Sequence, residues 1–336
     1  MDNTPFTSYE IQERSFVSFI KREIHHQAGQ AGFSEQKVGA IDIIVSELTS
    51  NLIKHAGSGE LLYRFTGAHE TAAIELVSLD NGPGIKDVAN SMKDGVSTTK
   101  TLGQGLGAIE RMSDLFQMYS MPGWGTIGYT RVLAAPPPVV RTQGDISFTA
   151  LIVCKPGEQV SGDGCSLVTS AKESRMFVGD GLGHGPEAHN AVKTAIDAFR
   201  KARESDPAEI LRSLHLNVKK TRGLVGTVVI GDHAEKKWKI CGIGNIATRL
   251  YEGLYSKNYI SYNGIIGMNI PTTLNNHIIA MGRHQCVVMT SDGIRTRWEL
   301  AQFPSILRYE PIVLAAAIYK ECARKNDDMS VIIGRT

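Results

Sequence analysis

Three consecutive prolines, Pro136 to Pro138 in "VLAAPPPVVRTQG", constrain the fold of this chain more than any other stretch. Each proline fixes φ and lacks an N–H, so neither a helix nor a central strand continues through such a run. Such a run favours an extended, fairly stiff connector. The 336 residues suffice for two domains of ordinary size. The connector divides them into residues 1–134, a Pro-rich linker over 135–144, and residues 145–336. Charge changes at the same place. The first part carries 11 Lys/Arg against 15 Asp/Glu, net −4, and the remainder 25 against 19, net +6. Two separately evolved units account for that asymmetry.

Composition excludes several classes. At 42% hydrophobic and 21% charged residues the profile is that of a soluble globular protein. No apolar run approaches the ~20 residues of a membrane span, and "MDNTPFTSYE" lacks the basic start and apolar segment of a signal peptide. Neither half has a dense basic run, so nucleic acid is not an expected partner. Five cysteines are scattered without a C-x-x-C pair, which reads as buried thiols in a reducing compartment. A cytoplasmic location is expected.

In the first part, Phe16, Phe19, Ile20 and Ile24 fall at helical spacing within "SYEIQERSFVSFIKREIHHQAGQAGF". A second helix is expected in "SEQKVGAIDIIVSELTSNLIKHAG", with Ser34 as N-cap and Gly57 as stop. "ELLYRFTG" and "TAAIELVSLD" read as strands, "GLGAIERMSDLF" as a helix and "GTIGYTRVLA" as a closing strand. Helices with a few mostly antiparallel strands give an α+β sandwich.

Glu47, Asn51 and His55 recur every fourth residue and share one face of the second helix. Polar groups there ordinarily form a solvated face, but three further features point to a site. "LDNGPGI" puts Asp80 at a strand end, followed by Gly82 and Gly84. "LGQGLGAIER" puts Gly103, Gly105 and Gly107 at a helix entry, where free N–H groups suit an anion. "GWGTIGY" adds Thr126 at a strand start. Each glycine motif alone is weak; their order carries the reading.

That ordered set resembles the Bergerat-fold (GHKL) ATPases. Within them, "SELTSNLIKHAGSGEL" and "DNGPGIKDVANSMKDGVSTTKTLGQGLGAIERMSDLF" look like the anti-sigma-type serine/threonine switch kinases of bacterial partner switching. The resemblance spans nearly all of residues 1–134. It implies that Asn51 holds the Mg²⁺ that accompanies ATP, that Asp80 accepts the adenine amino group, and that Glu47 takes the proton of the attacking hydroxyl. Gly82 and Gly84 would admit the base, and Gly103, Gly105 and Gly107 the phosphates, with Thr126 also in the ATP site. Residues 85–102 would form a short lid. His55 is read as structural, and Gln104 has no assigned role.

The second part opens with "ISFTALIVCKP" as a strand and "CSLVTSAKESRMFVGD" as a hairpin. Two helices follow, one starting at Pro186 and one capped by Asp206 and closed by "KKTRG". Further strands are expected in "GTVVIGDH", "KWKICGIG", "ATRLYEG", "QCVVMTSDG" and "MSVIIGRT". These make a two-layer β-sandwich flanked by helices. "GDGLGHG", residues 179–185, is either a phosphate cradle or a metal loop. It lacks the Lys and Ser/Thr that follow a P-loop. Asp163, Asp180, Asp292 and the pair Asp327–Asp328 each sit at the edge of an apolar run. Asp-Gly pairs are usually simple turns, but carboxylates without a His or Cys cluster also suit Mg²⁺ or Mn²⁺, and paired ions activate water toward phosphorus.

These motifs resemble the metal-dependent protein phosphatase (PPM) family, in its bacterial branch of sporulation-stage-II and stress-response serine phosphatases. The match spans about residues 145–336. It implies two Mn²⁺ or Mg²⁺ ions, with Asp180 as the catalytic bridging ligand and the Gly181 carbonyl beside it. Asp163, Asp292 and Asp327 complete the set, Asp327 being preferred over Asp328 because the family's Asp stands two residues before Met. His184 is a general acid or a hydrogen-bonding scaffold. The helices over roughly 187–221 match a regulatory switch.

The two resemblances together imply a bifunctional switch acting on a STAS-domain, anti-sigma-antagonist-like phosphoprotein. Two other readings stand beside it: a phosphatase gated by a non-catalytic ATP-sensing domain, and a protein that binds a sigma factor or sensor. Related kinases often dimerise, so a homodimer is an expectation by analogy.

Overall fold

The computed structural model describes residues 4–91, 105–136 and 146–336. They separate into two compact units. One comprises residues 6–91, 105–136 and 308–316; the other comprises 4–5, 146–307 and 317–336. The expected connector lies outside the described residues from 137 onward.

The first unit starts with a short strand, β1 (Thr7–Ile11), before helix α1 (Arg14–Gln30). "SYEI" thus pairs with a neighbouring strand ahead of the residues at helical spacing. α2 (Glu35–Ala56) has the expected ends: the Ser34 hydroxyl accepts from Lys37 N–H at 3.3 Å, and Gly57 closes the helix at φ 78°. Strands β2 (Gly59–Thr66), β3 (Ala73–Leu79), β4 (Leu115–Met121) and β5 (Gly125–Leu133) complete an antiparallel sheet in the order β1-β2-β3-β5-β4. A single turn, α3 (Val88–Ser91), and helix α4 (Gly105–Met112) precede β4.

Ile20, Ile24 and Ala28 of α1 form the buried stripe with Ile41, Val45, Leu48 and Leu52 of α2, against Leu61, Tyr63, Ile74 and Leu76 of the sheet. Phe16 and Phe19 were expected on that stripe, yet they are 39% and 46% exposed. They stack on one another and edge onto Tyr9 instead, with ring centroids 5.6 to 6.3 Å apart.

The second unit is a sandwich of two antiparallel sheets. The first holds β7 (Asp163–Thr169), β8 (Glu173–Gly181), β9 (Leu224–Asp232), β10 (Lys237–Ile243) and β13 (His277–Ala280), in the order β13-β10-β9-β8-β7. The second holds β6 (Ser147–Val153), β11 (Ala247–Glu252), β12 (Tyr255–Tyr259), β14 (Gln285–Thr290) and β15 (Met329–Arg335), in the order β12-β11-β14-β15-β6. Val178, Val229, Trp238, Val287, Met289 and Ile332 fill the space between them. The Trp238 indole N–H crosses it to Gln285 Oε1 at 2.8 Å.

Helices α5 (Pro186–Lys201) and α6 (Pro207–Asn217) cover the first sheet through Val192, Ile196, Phe199, Ile210 and Leu214. The Asp206 carboxylate caps α6 by accepting from Glu209 N–H. α6 ends at Asn217, so "KKTRG" lies past the helix in a turn. A further helix, α7 (Pro311–Cys322), precedes β15. Among the described residues no helix is long and apolar enough to cross a membrane.

Candidate functional site

In the first unit, the end of β3 and the start of β5 position Asp80. Asp80 N–H donates to Thr126 O at 3.0 Å, and Asp80 Oδ1 accepts from Gly82 N–H at 2.8 Å and from Thr126 N–H at 3.2 Å. These contacts fix the carboxylate at the mouth of the sheet. Two glycines are required by close approach here. A Cβ on Gly84, at φ 71°, would collide with the Met121 carbonyl, and one on Gly125, at φ 111°, with the Asp80 carbonyl. Gly82 stands over Ala56, whose Cβ would be 2.9 Å from a side chain built there.

The helices bring the other half. A Cβ on Gly105 would fall on Glu47 Oε2, so the start of α4 lies against the Glu47 carboxylate. Glu47 and Asn51 are both half-buried on α2, while His55 is exposed. Gly107 is buried inside α4. Thr126 contributes its backbone to Asp80, and its hydroxyl pairs with Ser120 Oγ at 3.0 Å. Ser120, which sequence reasoning passed over, also accepts from Ile85 N–H at 2.8 Å and ties the loop after Asp80 to β4. Gly103 and most of the expected lid lie outside the described residues.

In the second unit, strand pairing builds the acidic centre. Asp163 opens β7 and is directly opposite Asp180 near the end of β8. Asp292 follows β14, and Asp327 and Asp328 precede β15, which pairs with β14. All five carboxylates therefore gather at one end of the sandwich. Gly181 closes β8 where a Cβ would strike the Ala188 backbone at the start of α5. Asn245 Nδ2 donates to Asp292 Oδ2 at 2.9 Å.

The electrostatics show a crowd of like charges. Burial pushes the Asp163 carboxyl up to about 7, with the Ser291 hydroxyl pulling it back and the charge of Asp328 adding to the rise. Asp180 is pushed up to about 9, first by burial and then by the charges of Asp163, Asp292, Asp327 and Asp328. Asp163 is 2% exposed, and its Oδ2 has no hydrogen-bond partner among the described residues. A buried carboxylate oxygen in that position calls for a cation. No three His, Cys, Asp or Glu side chains among the described residues stand ready to hold one ion.

Asp327 and Asp328 divide their roles. Asp328 is 3% exposed and accepts from Lys155 N–H and Gly162 N–H at 2.9 and 2.8 Å, so it buttresses the loop before β7. Asp327 is half-buried and accepts from Asp328 N–H at 2.9 Å. It is the member of the pair with capacity left for a metal. His184 lies on the loop after Asp180 with Nδ1 2.7 Å from Glu158 Oε1. Glu158, Asn245, Ser291 and Arg222 carried no signal in the sequence that set them apart from ordinary polar loop residues.

Comparison with known proteins finds two family matches along the chain. The Histidine kinase-like ATPase domain family matches residues 16–127, and Stage II sporulation protein E (SpoIIE) matches residues 170–336. The serine/threonine-protein kinase RsbT of Bacillus subtilis (strain 168) is 33% identical over 99 residues, covering 30% of this chain and 74% of its own. A protein from a solved structure of the bacterial stressosome is 26% identical, with a TM-score of 0.53, covering 56% of this chain and 99% of its own. RsbX, crystallised in complex with magnesium, shares the fold at 18% identity and a TM-score of 0.51, over 56% of this chain and 94% of its own. The chain thus belongs to the RsbT family through its histidine-kinase-like ATPase domain, and it is a fusion of that anti-sigma-type switch-kinase domain with a SpoIIE-type phosphatase domain of the PPM family.

Proposed function

We propose that the chain is a bifunctional partner-switching regulator that adds phosphate to, and removes it from, a serine or threonine of one small STAS-domain protein. The first domain would transfer the γ-phosphoryl group of ATP to the partner's hydroxyl, leaving ADP and taking up the hydroxyl proton at Glu47. The second would hydrolyse the phosphomonoester with one water to restore the hydroxyl and release inorganic phosphate. The boundaries 1–134, 135–144 and 145–336 belong to this proposal.

The observation that carries it is that one chain holds, among the described residues, an Asp80 carboxylate fixed beside glycine turns in one unit and a gathering of five aspartates in the other. In the first, Asp80 is fixed by Gly82 and Thr126 to meet a base edge, and Glu47 lies against Gly105 at the start of α4, with Asn51 one turn further along α2. Similarity to RsbT, a serine/threonine kinase, supports phosphotransfer there. In the second, the unpartnered Asp163 Oδ2 and the raised Asp180 carboxyl fit divalent cations held by Asp163, Asp180, Asp292, Asp327 and the Gly181 carbonyl. When bound, such ions neutralise phosphate charge and activate water. The protein's own part is to orient the carboxylates through β7–β8 pairing and to fix Asp292 through Asn245.

Similarity to RsbT and to a protein of a stressosome structure supports a role in signalling; the STAS-type partner, with a sigma factor or sensor further along the same switch, is the part of the proposal that the sequence resemblance implies. The test uses the intact chain with a STAS protein from the same genome, pre-phosphorylated, and Mn²⁺ or Mg²⁺. Metal-dependent release of phosphate that Asp180→Ala abolishes is expected. Calorimetry should show ATP binding that survives Glu47→Ala and is lost in Asp80→Ala. Absence of both nucleotide binding and metal-dependent release would sink the proposal.

A further inference from the structure

The loop that follows Asp180 has a cationic wall. Pairing of β8 with β9 sets Gly181 opposite Leu224, and Leu182 N–H donates to Gly223 O at 3.2 Å. The turn that leads into β9 therefore runs alongside the loop Leu182–Gly185. Arg222 lies in that turn with its guanidinium against Gly183. A Cβ built on Gly183 would stand 3.1 Å from Arg222 Nη1 and 3.6 Å from Cζ. At φ 83° Gly183 adopts a conformation that L side chains rarely take. The loop therefore shows the guanidinium bare backbone.

Arg222 is only loosely held. Its one ion-pair partner among the described residues is Glu187, Nε to Oε2 at 3.1 Å, with the two side chains 47% and 75% exposed. Water screens such a pair, and it contributes little to stability. Arg222 lies past the end of α6, which stops at Asn217, and among the described residues its guanidinium donates to no carbonyl of that helix. A cation kept against the loop that leaves the acidic centre, with an easily exchanged partner, is suited to a ligand with the opposite charge.

We propose that Arg222 is the phosphate-binding residue of the acidic centre, gripping the phosphoryl group of a phosphoserine or phosphothreonine side chain; this rests on the phosphatase reading above. A phosphomonoester carries a charge of about −1.5 to −2 at pH 7, and five carboxylates repel it. A guanidinium offers a planar fork that matches two phosphate oxygens, which an ammonium does not. Binding of the phosphoryl group exchanges the exposed Glu187 contact for a charge-assisted one.

The test compares wild type, Arg222→Ala, Arg222→Lys and Glu187→Gln as intact Mn²⁺-loaded chains. KM and kcat are measured on a phosphoserine peptide, and binding of inorganic phosphate by calorimetry. Arg222→Ala should raise KM and weaken phosphate binding by about 10- to 100-fold, with an unchanged unfolding midpoint. Arg222→Lys should fall between, since it keeps charge without the fork. Glu187→Gln should leave KM unchanged or lower it by freeing the guanidinium. Unchanged KM and phosphate affinity in Arg222→Ala overturns the proposal while the phosphatase reading stands. Glu187→Gln reproducing the loss also overturns it, since the ion pair would then merely shape the loop. A wild type without metal-dependent hydrolysis overturns the phosphatase reading and the proposal together.

Discussion

Asp180→Asn should stabilise the metal-free protein while abolishing its phosphatase activity. Asp180 is pushed from the ordinary 3.8 up to about 9, chiefly by burial and by four neighbouring aspartates. The folded state thus keeps a proton that the unfolded state releases. For a carboxyl raised in this way, stability falls as pH rises through the whole window from the unfolded value to the folded one. One proton gives a slope of about 1.4 kcal/mol per pH unit. Between pH 6 and pH 8 this one group should take about 3 kcal/mol from the wild type, or roughly half that once solvent access to a half-buried group is allowed for. Asparagine carries no titrating proton, so the gap between variant and wild type should widen by the same amount over that range. In a domain of this size that is a Tm difference on the order of 5 °C. Urea unfolding in EDTA at pH 6, 7 and 8, followed by tryptophan fluorescence, measures it. Added Mn²⁺ should then stabilise the wild type and leave the variant unmoved. A wild-type profile flat across this range, or a variant less stable throughout, would refute the claim that these carboxylates are held together against their own repulsion.

Other perturbations test other parts. Glu75 is 9% exposed; burial would raise its carboxyl, but Arg64 Nε and the Tyr129 hydroxyl, each at 2.6 Å, hold it below the usual carboxylate range. It stabilises the first domain above the ordinary carboxylate pKa and loses that effect as pH falls through its lowered value. Glu75→Gln should cost about 3 kcal/mol at pH 7 and flatten the acid limb of an unfolding-versus-pH curve. Trp238→Phe should cost about 1–3 kcal/mol by leaving Gln285 Oε1 unpaired between the sheets, and Trp238→Ala about 3–5 kcal/mol, both read by denaturant unfolding. Gly105→Ala drives a methyl into the Glu47 carboxylate; calorimetry should show ATP affinity down about tenfold or more, with far-UV dichroism unchanged.

Much of this fold was legible because local signals agreed with tertiary need. Ser34 and Gly57 bracket α2, and Asp206-Pro207 opens α6, as capping chemistry requires. The misses have physical causes. β1 is a five-residue edge strand in which only Ile11 is buried, so it gives no apolar alternation. Phe16 and Phe19 mimic a core stripe, but α1 buries the 20-24-28 row and leaves those rings to stack at its rim with Tyr9. β4 follows α4 so closely that "DLF" reads as more helix. α7 is apolar and buried on every side, so it has no amphipathic period to detect. At the sites, the aspartates that the fold gathers could be picked out because each lies at the edge of an apolar run. Asn245, Ser120 and Arg222 act only through the neighbours that folding brings them, and no sequence spacing reveals that.

The central claim, that one chain works in both directions on one phosphosite, is tested most directly by the phosphorylated fraction of the STAS partner after incubation with ATP, Mg²⁺ and Mn²⁺. The account predicts that phosphoprotein accumulates with Asp180→Ala, stays low with wild type, and fails to form in an Asp180→Ala chain that also carries Glu47→Ala. If Asp180→Ala accumulates none while wild type still strips phosphate from pre-phosphorylated partner, the first domain is a nucleotide sensor and the bifunctional account is wrong.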